Sequence, residues 1–454
     1  MPAWSLWIAL FALAVPPDVD ALLKEHYLSR TPTARAAAAR KILETPGLTA
    51  KTLATAIGKV QLWEASPTGD QEMDLHLFPG DAGRRHVLVR VPEDYDPTKA
   101  WPLIITLHGS GANAPGQMAV TRQMLGRRAE QFILAAPQDL GPLNFTDEDA
   151  VVGQPRRLLV ELRHRYHIDP DRVYFTGYSL GGHNTWMAGV MHADCFAGLM
   201  PLATPMQVIG QGMIDDDLLA NLNNVPILFC WGARDNLGPD GKAHPQGGNA
   251  AMNKQIAGIM RRLKIKGFDG VELPETGHLG VAPPANKLSK WLDRKRPRWP
   301  KRVHQTFRLP EQSRAYWVEA EGLQGEPLSL TLKIPGAKPG EDPREAQRKF
   351  LLGRLGCIEA SVEGQTITLQ TRRSTYVALL LSDDLIDLDQ PVTIVRNKKT
   401  VYTGPVPRDL SVMLRESAES WDFARLPSAR VIVPVGGKVR FGYTTPKPKK
   451  PAAK

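Results

Sequence analysis

From about residue 85 the chain alternates short apolar runs with longer amphipathic stretches, the order expected of a mainly parallel sheet covered by helices. The runs at 86–92, 102–107, 132–136, 172–176, 197–202, 226–231 and 269–273 predict strands. The stretches 150–166, 182–193, 246–264 and 284–293 predict helices. Within 246–264, Met252, Ile256, Ile259, Met260 and Leu263 recur three or four residues apart, which places them on one buried stripe. Ahead of this region, 18–60 reads as helical, because 34–41 is rich in Ala, Arg and Lys and Pro46-Gly47 then breaks the run. The expectation is a helical N-terminal segment at 18–84 and an α/β domain at 85–293.

The pattern changes after 293. Residues 294–302 are basic and interrupted by Pro297 and Pro300, and they read as a solvated linker. Beyond them Leu328–Ile334, Gln365–Gln370 and Tyr376–Leu381 alternate with β-branched residues, and 391–404 reads as a hairpin turning near Asn397-Lys398-Lys399. These features predict a smaller β-rich domain at 303–437, built as an antiparallel sheet. A basic tail at 438–454 is expected to lie outside the fold.

Composition narrows the classes. Hydrophobic residues at 42% and charged residues at 23% match globular usage, which excludes a wholly disordered chain. The net charge of +10 permits attraction to polyanions, and weak attachment to an acidic polymer or envelope surface is an expectation. No nucleic-acid motif accompanies the charge, so no nucleic-acid partner is expected. Cys195, Cys230 and Cys357 are widely spaced, with no C-x-x-C pair and hence no zinc framework; Cys230 reads as a core residue, and a Cys195–Cys357 bridge stays open.

Trp4 to Val15 is apolar, too short to span a ~30 Å hydrocarbon layer but within the range of a secretory core, and Ala12-Leu13-Ala14 follows the small-x-small cleavage pattern. The n-region lacks Lys and Arg. Residues 1–17 therefore read as a signal peptide cleaved near Ala14, giving a secreted or periplasmic protein. No stretch reaches 18 apolar residues, so no transmembrane anchor is expected.

The sharpest chemical signal is Gly177-Tyr178-Ser179-Leu180-Gly181, a G-x-S-x-G between a strand and a helix. Flanking glycines permit the sharp turn that exposes the Ser179 hydroxyl. A serine hydroxyl needs a histidine to take its proton and a carboxylate to orient that histidine, in the chain order Ser, acid, His. Asp235, after the strand at 226–231, and His278, after the strand at 269–273, satisfy that order at C-terminal strand ends. Asp240 and His244 also follow Ser179 but share one loop, and His183 reads as a helix-packing residue. Leu107-His-Gly-Ser-Gly-Ala-Asn113 supplies a glycine-rich loop in which Ser110 pairs with Leu180 as the two N–H donors for a developing oxyanion. No cofactor and no metal are expected.

Those segments, with 168–183, 231–235 and 275–278, resemble the α/β-hydrolase superfamily over about 85–293, and within it secreted bacterial esterases of the feruloyl esterase, polyhydroxybutyrate depolymerase and carboxylesterase/phospholipase type. The resemblance implies an α/β-hydrolase fold, carboxylic-ester hydrolysis through an acyl-enzyme on Ser179, and a small-molecule or polysaccharide-linked ester as substrate. Residues 204–224 are too few for a large lid. A serine peptidase could use the same residues, although the segment before residue 85 is too short for a β-propeller. A hydrolase-shaped binding module is the third reading, opposed by the intact Ser, acid, base and loop.

Overall fold

The computed structural model describes residues 18–443 apart from 78–83, 139, 142, 148, 208–212, 239–241, 245–246, 330–332 and 334. The signal-peptide expectation at 1–17, Asp240, part of the 328–334 strand, part of 204–224 and the tail from 444 lie outside the described residues. Three helices open the described chain: α1 (Asp18–Leu28), α2 (Pro32–Leu43) and α3 (Ala50–Ile57). Thr31 and Thr49 cap the second and third, each hydroxyl accepting a backbone N–H of the first turn.

Eight strands then form one sheet: β1 (Gly69–His76), β2 (Arg84–Val91), β3 (Trp101–Leu107), β4 (Ile133–Pro137), β5 (Ile168–Tyr178), β6 (Gly198–Leu202), β7 (Ile227–Gly232) and β8 (Phe268–Leu273). Their order is β1-β2-β4-β3-β5-β6-β7-β8, parallel from β4 onward, with β1 and β2 antiparallel at one edge. The helices between and after them are α4 (Ala114–Leu125), α5 (Asp149–Val152), α6 (Gln154–Arg165), α7 (Leu180–His192), α8 (Asp215–Leu219), α9 (Gly248–Arg262) and α10 (Ala285–Leu292). This is the α/β-hydrolase fold.

Both faces of the sheet are covered, which is why its strands read as unbroken apolar runs. Leu103, Ile105, Val173, Phe175, Leu199 and Phe229 pack on one side with residues of α6, α7 and α9. Their neighbours Ile104, Tyr174, Met200 and Leu228 point to the other side, against α4 and α10. Helix α7 is buried along its whole length from Gly181 to His192.

Strand β1 corrects the helical reading of 18–84. Only Gln71, Met73 and Leu75 turn inward while Asp70, Glu72 and Asp74 face water, and such a half-solvated edge strand lacks the apolar run that signals a central one. Helix α4 was not foreseen either; Asn113 starts it, its side chain accepting the Gly116 N–H at 2.8 Å.

The C-terminal part is a two-sheet sandwich. Five strands, β9 (Arg302–Phe307), β11 (Gly356–Glu363), β12 (Thr366–Arg372), β14 (Val392–Arg396) and β15 (Lys399–Gly404), face four: β10 (Val318–Ala320), β13 (Tyr376–Leu381), β16 (Ala429–Pro434) and β17 (Arg440–Phe441). Their inward residues, among them Phe307, Ile358, Ile367, Leu379 and Val431, form one core. The 391–404 hairpin forms as expected, with Asn397 and Lys398 at positive φ in its turn. The purely antiparallel expectation does not hold, because β12 and β14 pair in parallel. Within the supposed tail, β17 pairs with β16, and the Arg415 and Arg430 guanidiniums stack on the Tyr443 ring. Leu328 and Ser329 are not in a strand. Helix α11 (Pro343–Leu352) and helix α12 (Leu410–Ser420) flank the sandwich, and α12 packs against the N-terminal helices through Met413 and Leu414, with Trp421 just beyond its end in the same core.

The expectation of a solvated linker at 294–302 fails at Arg296, although Arg294, Lys295, Arg298, Lys301 and Arg302 are exposed. Arg296 is 3% exposed, donating to both carboxylate oxygens of Asp422 at 2.6 and 3.1 Å and to Asp171, at the start of β5, at 3.1 Å. Asp194, just beyond α7, is fully buried and accepts from Arg156 and Arg425, each at 2.7 Å. Burial alone would raise the carboxyls of Asp194 and Asp422. The guanidiniums of Arg156 and Arg425 at one, and of Arg296 and Arg163 at the other, outweigh it and hold both below the usual range. Cys195, Cys230 and Cys357 are all free and buried, so the Cys195–Cys357 bridge does not form.

Two outcomes follow from this buried charge. Asp422→Ala strands the Arg296 guanidinium in the interior and should lower unfolding free energy by about 3–5 kcal/mol, read by urea denaturation. His192 donates to the Val152 carbonyl, and burial, aided by Arg156, pushes its imidazole down to about 4. Against an unfolded value near ~6.5, the stability it confers is full above that pH and is lost as pH falls toward 4. His192→Asn should therefore flatten the decline in urea midpoint over that window.

Candidate active site

Ser179 lies between β5 and α7 at φ 54° and ψ −115°, a backbone position that side chains other than glycine rarely occupy. The turn is this tight because its glycines leave no Cβ in the way. A Cβ on Gly177 would stand 2.3 Å from the Gly181 carbonyl oxygen, one on Gly181 would stand 2.2 Å from that of Leu107, and one on Gly182 would stand 2.6 Å from that of Leu202. Backbone bonds brace it: the Ser179 N–H donates to Leu202 at 3.0 Å, and the His183 N–H to Ser179 at 2.9 Å. Leu180 opens α7, so its own N–H has no intrahelical acceptor.

The Ser179 hydroxyl is 3.0 Å from His278 Nε2, and His278 Nδ1 is 2.8 Å from Asp235 Oδ2. The three residues singled out from the sequence thus meet in one hydrogen-bonded line. Asp235 is 1% exposed and also accepts from the Leu237 N–H at 3.3 Å and from Asn249 Nδ2 at 3.3 and 3.4 Å. These bonds leave a buried carboxylate with partners on both oxygens.

The loops that carry Asp235 and His278 are fastened to each other. Gly232 ends β7 where a Cβ would lie 2.1 Å from the Gly277 carbonyl oxygen, and the Arg234 N–H donates to Thr276 at 2.9 Å. Arg234 and Glu275 pair across the same gap. The Tyr178 hydroxyl donates to the His278 carbonyl and accepts the Val281 N–H at 3.3 Å, which pins the base-bearing loop to the elbow; burial pushes this phenol above its usual range.

The glycine-rich loop crosses Ser179. A Cβ on Gly109 would come within 3.2 Å of Ser179 Cβ, Ser110 is exposed beside it, and Gly111 takes φ +76°. The His108 ring touches the carbonyl oxygens of Gly109 and Gln138, while the Gln138 side chain accepts the Ala114 N–H at 2.8 Å. His183 is buried and bonded to the Leu143 carbonyl at 2.9 Å, so it packs the helix as expected. His244 is exposed on its loop. The bracing roles of Tyr178 and Asn249 escaped the sequence reading, since Tyr178 fills a variable position of the G-x-S-x-G motif, Asn249 belongs to no motif, and their partners lie 100 and 14 residues away.

No protein-family model matches the chain. Among curated proteins it is similar to the "putative esterase NocK" of Nocardia uniformis subsp. tsuyamanensis, at 31% identity over 34% of this chain and 46% of that one. Feruloyl esterase B of Piromyces equi is 28% identical over 34% of this chain and 30% of its own length. Poly(3-hydroxyalkanoate) depolymerase C of Paucimonas lemoignei is 28% identical over 28% and 33%. The chain thus spans 30–46% of the length of these curated relatives. Among solved structures, a ferulic acid esterase of Anaeromyces mucronatus aligns with 50% of this chain and 89% of its own at 16% identity, with a TM-score of 0.35.

The close backbone packing at the elbow has a direct consequence. Gly181→Ala drives a methyl group into the Leu107 carbonyl, which cannot yield without moving β3, and should cost about 3 kcal/mol in urea unfolding.

Proposed function

We propose that the protein is a serine carboxylic-ester hydrolase acting on small or polysaccharide-linked esters through an acyl-enzyme on Ser179. The observation that carries this reading is the line Ser179 Oγ, His278, Asp235, with its 3.0 and 2.8 Å bonds, at the C-terminal ends of β5, β7 and β8. His278 Nε2 accepts the Ser179 proton as Oγ attacks the acyl carbon. The resulting imidazolium is stabilised by the buried Asp235, which also holds Nδ1 as the donor and so leaves Nε2 free to accept. His278 then protonates the departing alcohol, and in the second half-reaction it takes a proton from the water that releases the acid.

The tetrahedral oxygen needs two fixed donors. The Leu180 N–H is one, unsatisfied within α7 and aided by that helix's positive end, and the Ser110 N–H on the loop over Ser179 is the other. Nothing in this sequence of steps requires a metal or an organic cofactor. The esterase relatives support ester cleavage, and feruloyl esterase B and a bifunctional acetylxylan esterase/xylanase of Neocallimastix patriciarum support a polysaccharide carrier. Export is part of the proposal and rests on the Trp4–Val15 run. No helix among the described residues is long and apolar enough to cross a membrane.

The test is turnover of short p-nitrophenyl esters, a feruloyl ester, an acetylated sugar and a peptide anilide by the wild type and two variants. Ser179→Ala should lower kcat on esters by about 10⁴-fold or more. Asp235→Asn should lower it by about 10⁴-fold, since the imidazole is then held in the wrong tautomer. Ester turnover that survives in Ser179→Ala, or cleavage of the anilide alone, would sink the reading.

A further inference from the structure

The triad occupies the C-terminal ends of the strands, while a second concavity of about 440 Å³ opens at their N-terminal ends. Asn223 and Asn224, just ahead of β7, and Lys264 and Lys266, just ahead of β8, form its catalytic-domain wall. Six residues of β7, at ~3.3 Å each, put this cleft about 20 Å from the acid that follows the strand. It is therefore a site apart from the proposed chemistry.

The other wall is the outer face of the five-stranded sheet. Register places Arg302 of β9 opposite Ser361 of β11, and Ser361 opposite Thr368 of β12. The adjacent row runs His304, Glu359, Gln370. These two rows make a flat polar platform, facing the two lysines across the cleft.

Its charge is unbalanced. Among the described residues no carboxylate lies within ion-pair distance of Lys264 or Lys266, and Arg302 has only a long 3.5 Å contact with Glu363, both side chains being more than three-quarters exposed. The one carboxylate within the cleft, Glu359, already faces His304 at 3.6 Å, and that contact holds its carboxyl below the usual range. Lys264 moreover stands at φ 54°, where glycine is the easier residue, so its charge is held at this turn against a backbone preference.

We propose that this cleft binds an acidic polysaccharide, a polymer of carboxylate-bearing sugars, and holds the chain while an ester it carries is presented at Ser179. The three cations suit carboxylates, and the Asn223, Asn224 and Gln370 amides with the Ser361 and Thr368 hydroxyls suit the hydroxyl groups of sugars. The lining offers no Trp, Tyr or Phe on which bases would stack, which sets the cleft apart from single-stranded nucleic-acid grooves. The inference deepens the esterase reading and rests on its polysaccharide arm.

Retardation of the full chain in native gels cast with polygalacturonate, neutral arabinoxylan or single-stranded DNA tests it without any chemistry. Polygalacturonate should retard the wild type in a salt-sensitive way, and the double variant K264E/K266E should weaken that affinity about tenfold while p-nitrophenyl ester turnover stays unchanged. Equal retardation of wild type and variant, or no retardation by polygalacturonate, would overturn the proposal. So would DNA binding as strong as polygalacturonate binding that falls equally in the variant. Retention on polygalacturonate that depends on the lysines, in a protein without ester turnover, would support the cleft and remove the catalytic reading alone.

Discussion

The structure turns on one steric constraint, the near-contact of backbones around Ser179. Leu107 at the end of β3, Leu202 at the end of β6 and the first turn of α7 approach so closely that a single added carbon at Gly177, Gly181 or Gly182 would overlap a carbonyl oxygen. That closeness forces Ser179 into the left-handed region and lifts its hydroxyl clear of the sheet. It also brings the Gly109 loop over Ser179, so the elbow, that loop and the sheet ends are one packing problem with one solution. Strain of this kind persists only where the surroundings over-determine it, and α7, buried on every side, supplies that rigidity.

A second constraint is electrostatic. The guanidinium of Arg296 reaches Asp171 of the eight-stranded sheet and Asp422 of the C-terminal part, while Arg425 returns to Asp194 beside α7. Charges buried this deeply are tolerated only when every partner is present, which makes the C-terminal sandwich part of the same cooperative unit as the hydrolase sheet. Neutral bonds repeat the connection: Asn221 exchanges two hydrogen bonds with the backbone of Thr306, and Gln312 donates to Phe145 at 2.9 Å. The N-terminal helices close the arrangement, with Tyr27 bonded to Ser417 and Trp63 stacked on His167. The proposed polysaccharide cleft exists only because of this docking, since its two walls belong to different sheets.

The parts legible from residue order were those whose physics is local. Central strands announced themselves because burial on both faces demands continuous apolar runs, and the elbow because a strand-to-helix reversal demands glycines at set positions. Asp235 and His278 followed from chain order and their places after strands. Strand β1 escaped because an edge strand with one wet face looks like polar coil, and β12 beside β14 escaped because alternation carries no information about strand direction. The basic run at 294–302 misled at Arg296 for a similar reason: it reads as solvated when counted along the chain, and its carboxylate partners Asp171 and Asp422 lie more than a hundred residues away.

The sequence by itself therefore determined the layered α/β architecture, the places of Ser179, Asp235 and His278 after their strands, and the sharp turn at Ser179, each a matter of side-chain period or backbone sterics within a short segment. Only the tertiary structure decided that His278 meets Ser179 and Asp235 together, that Tyr178 and Asn249 hold His278 and Asp235 in place, and that a buried lattice of arginines and carboxylates joins the sandwich to the sheet. Those outcomes depend on distances between segments far apart in the chain, and hydrogen bonds and ion pairs form only where packing has already set such distances to within a fraction of an ångström.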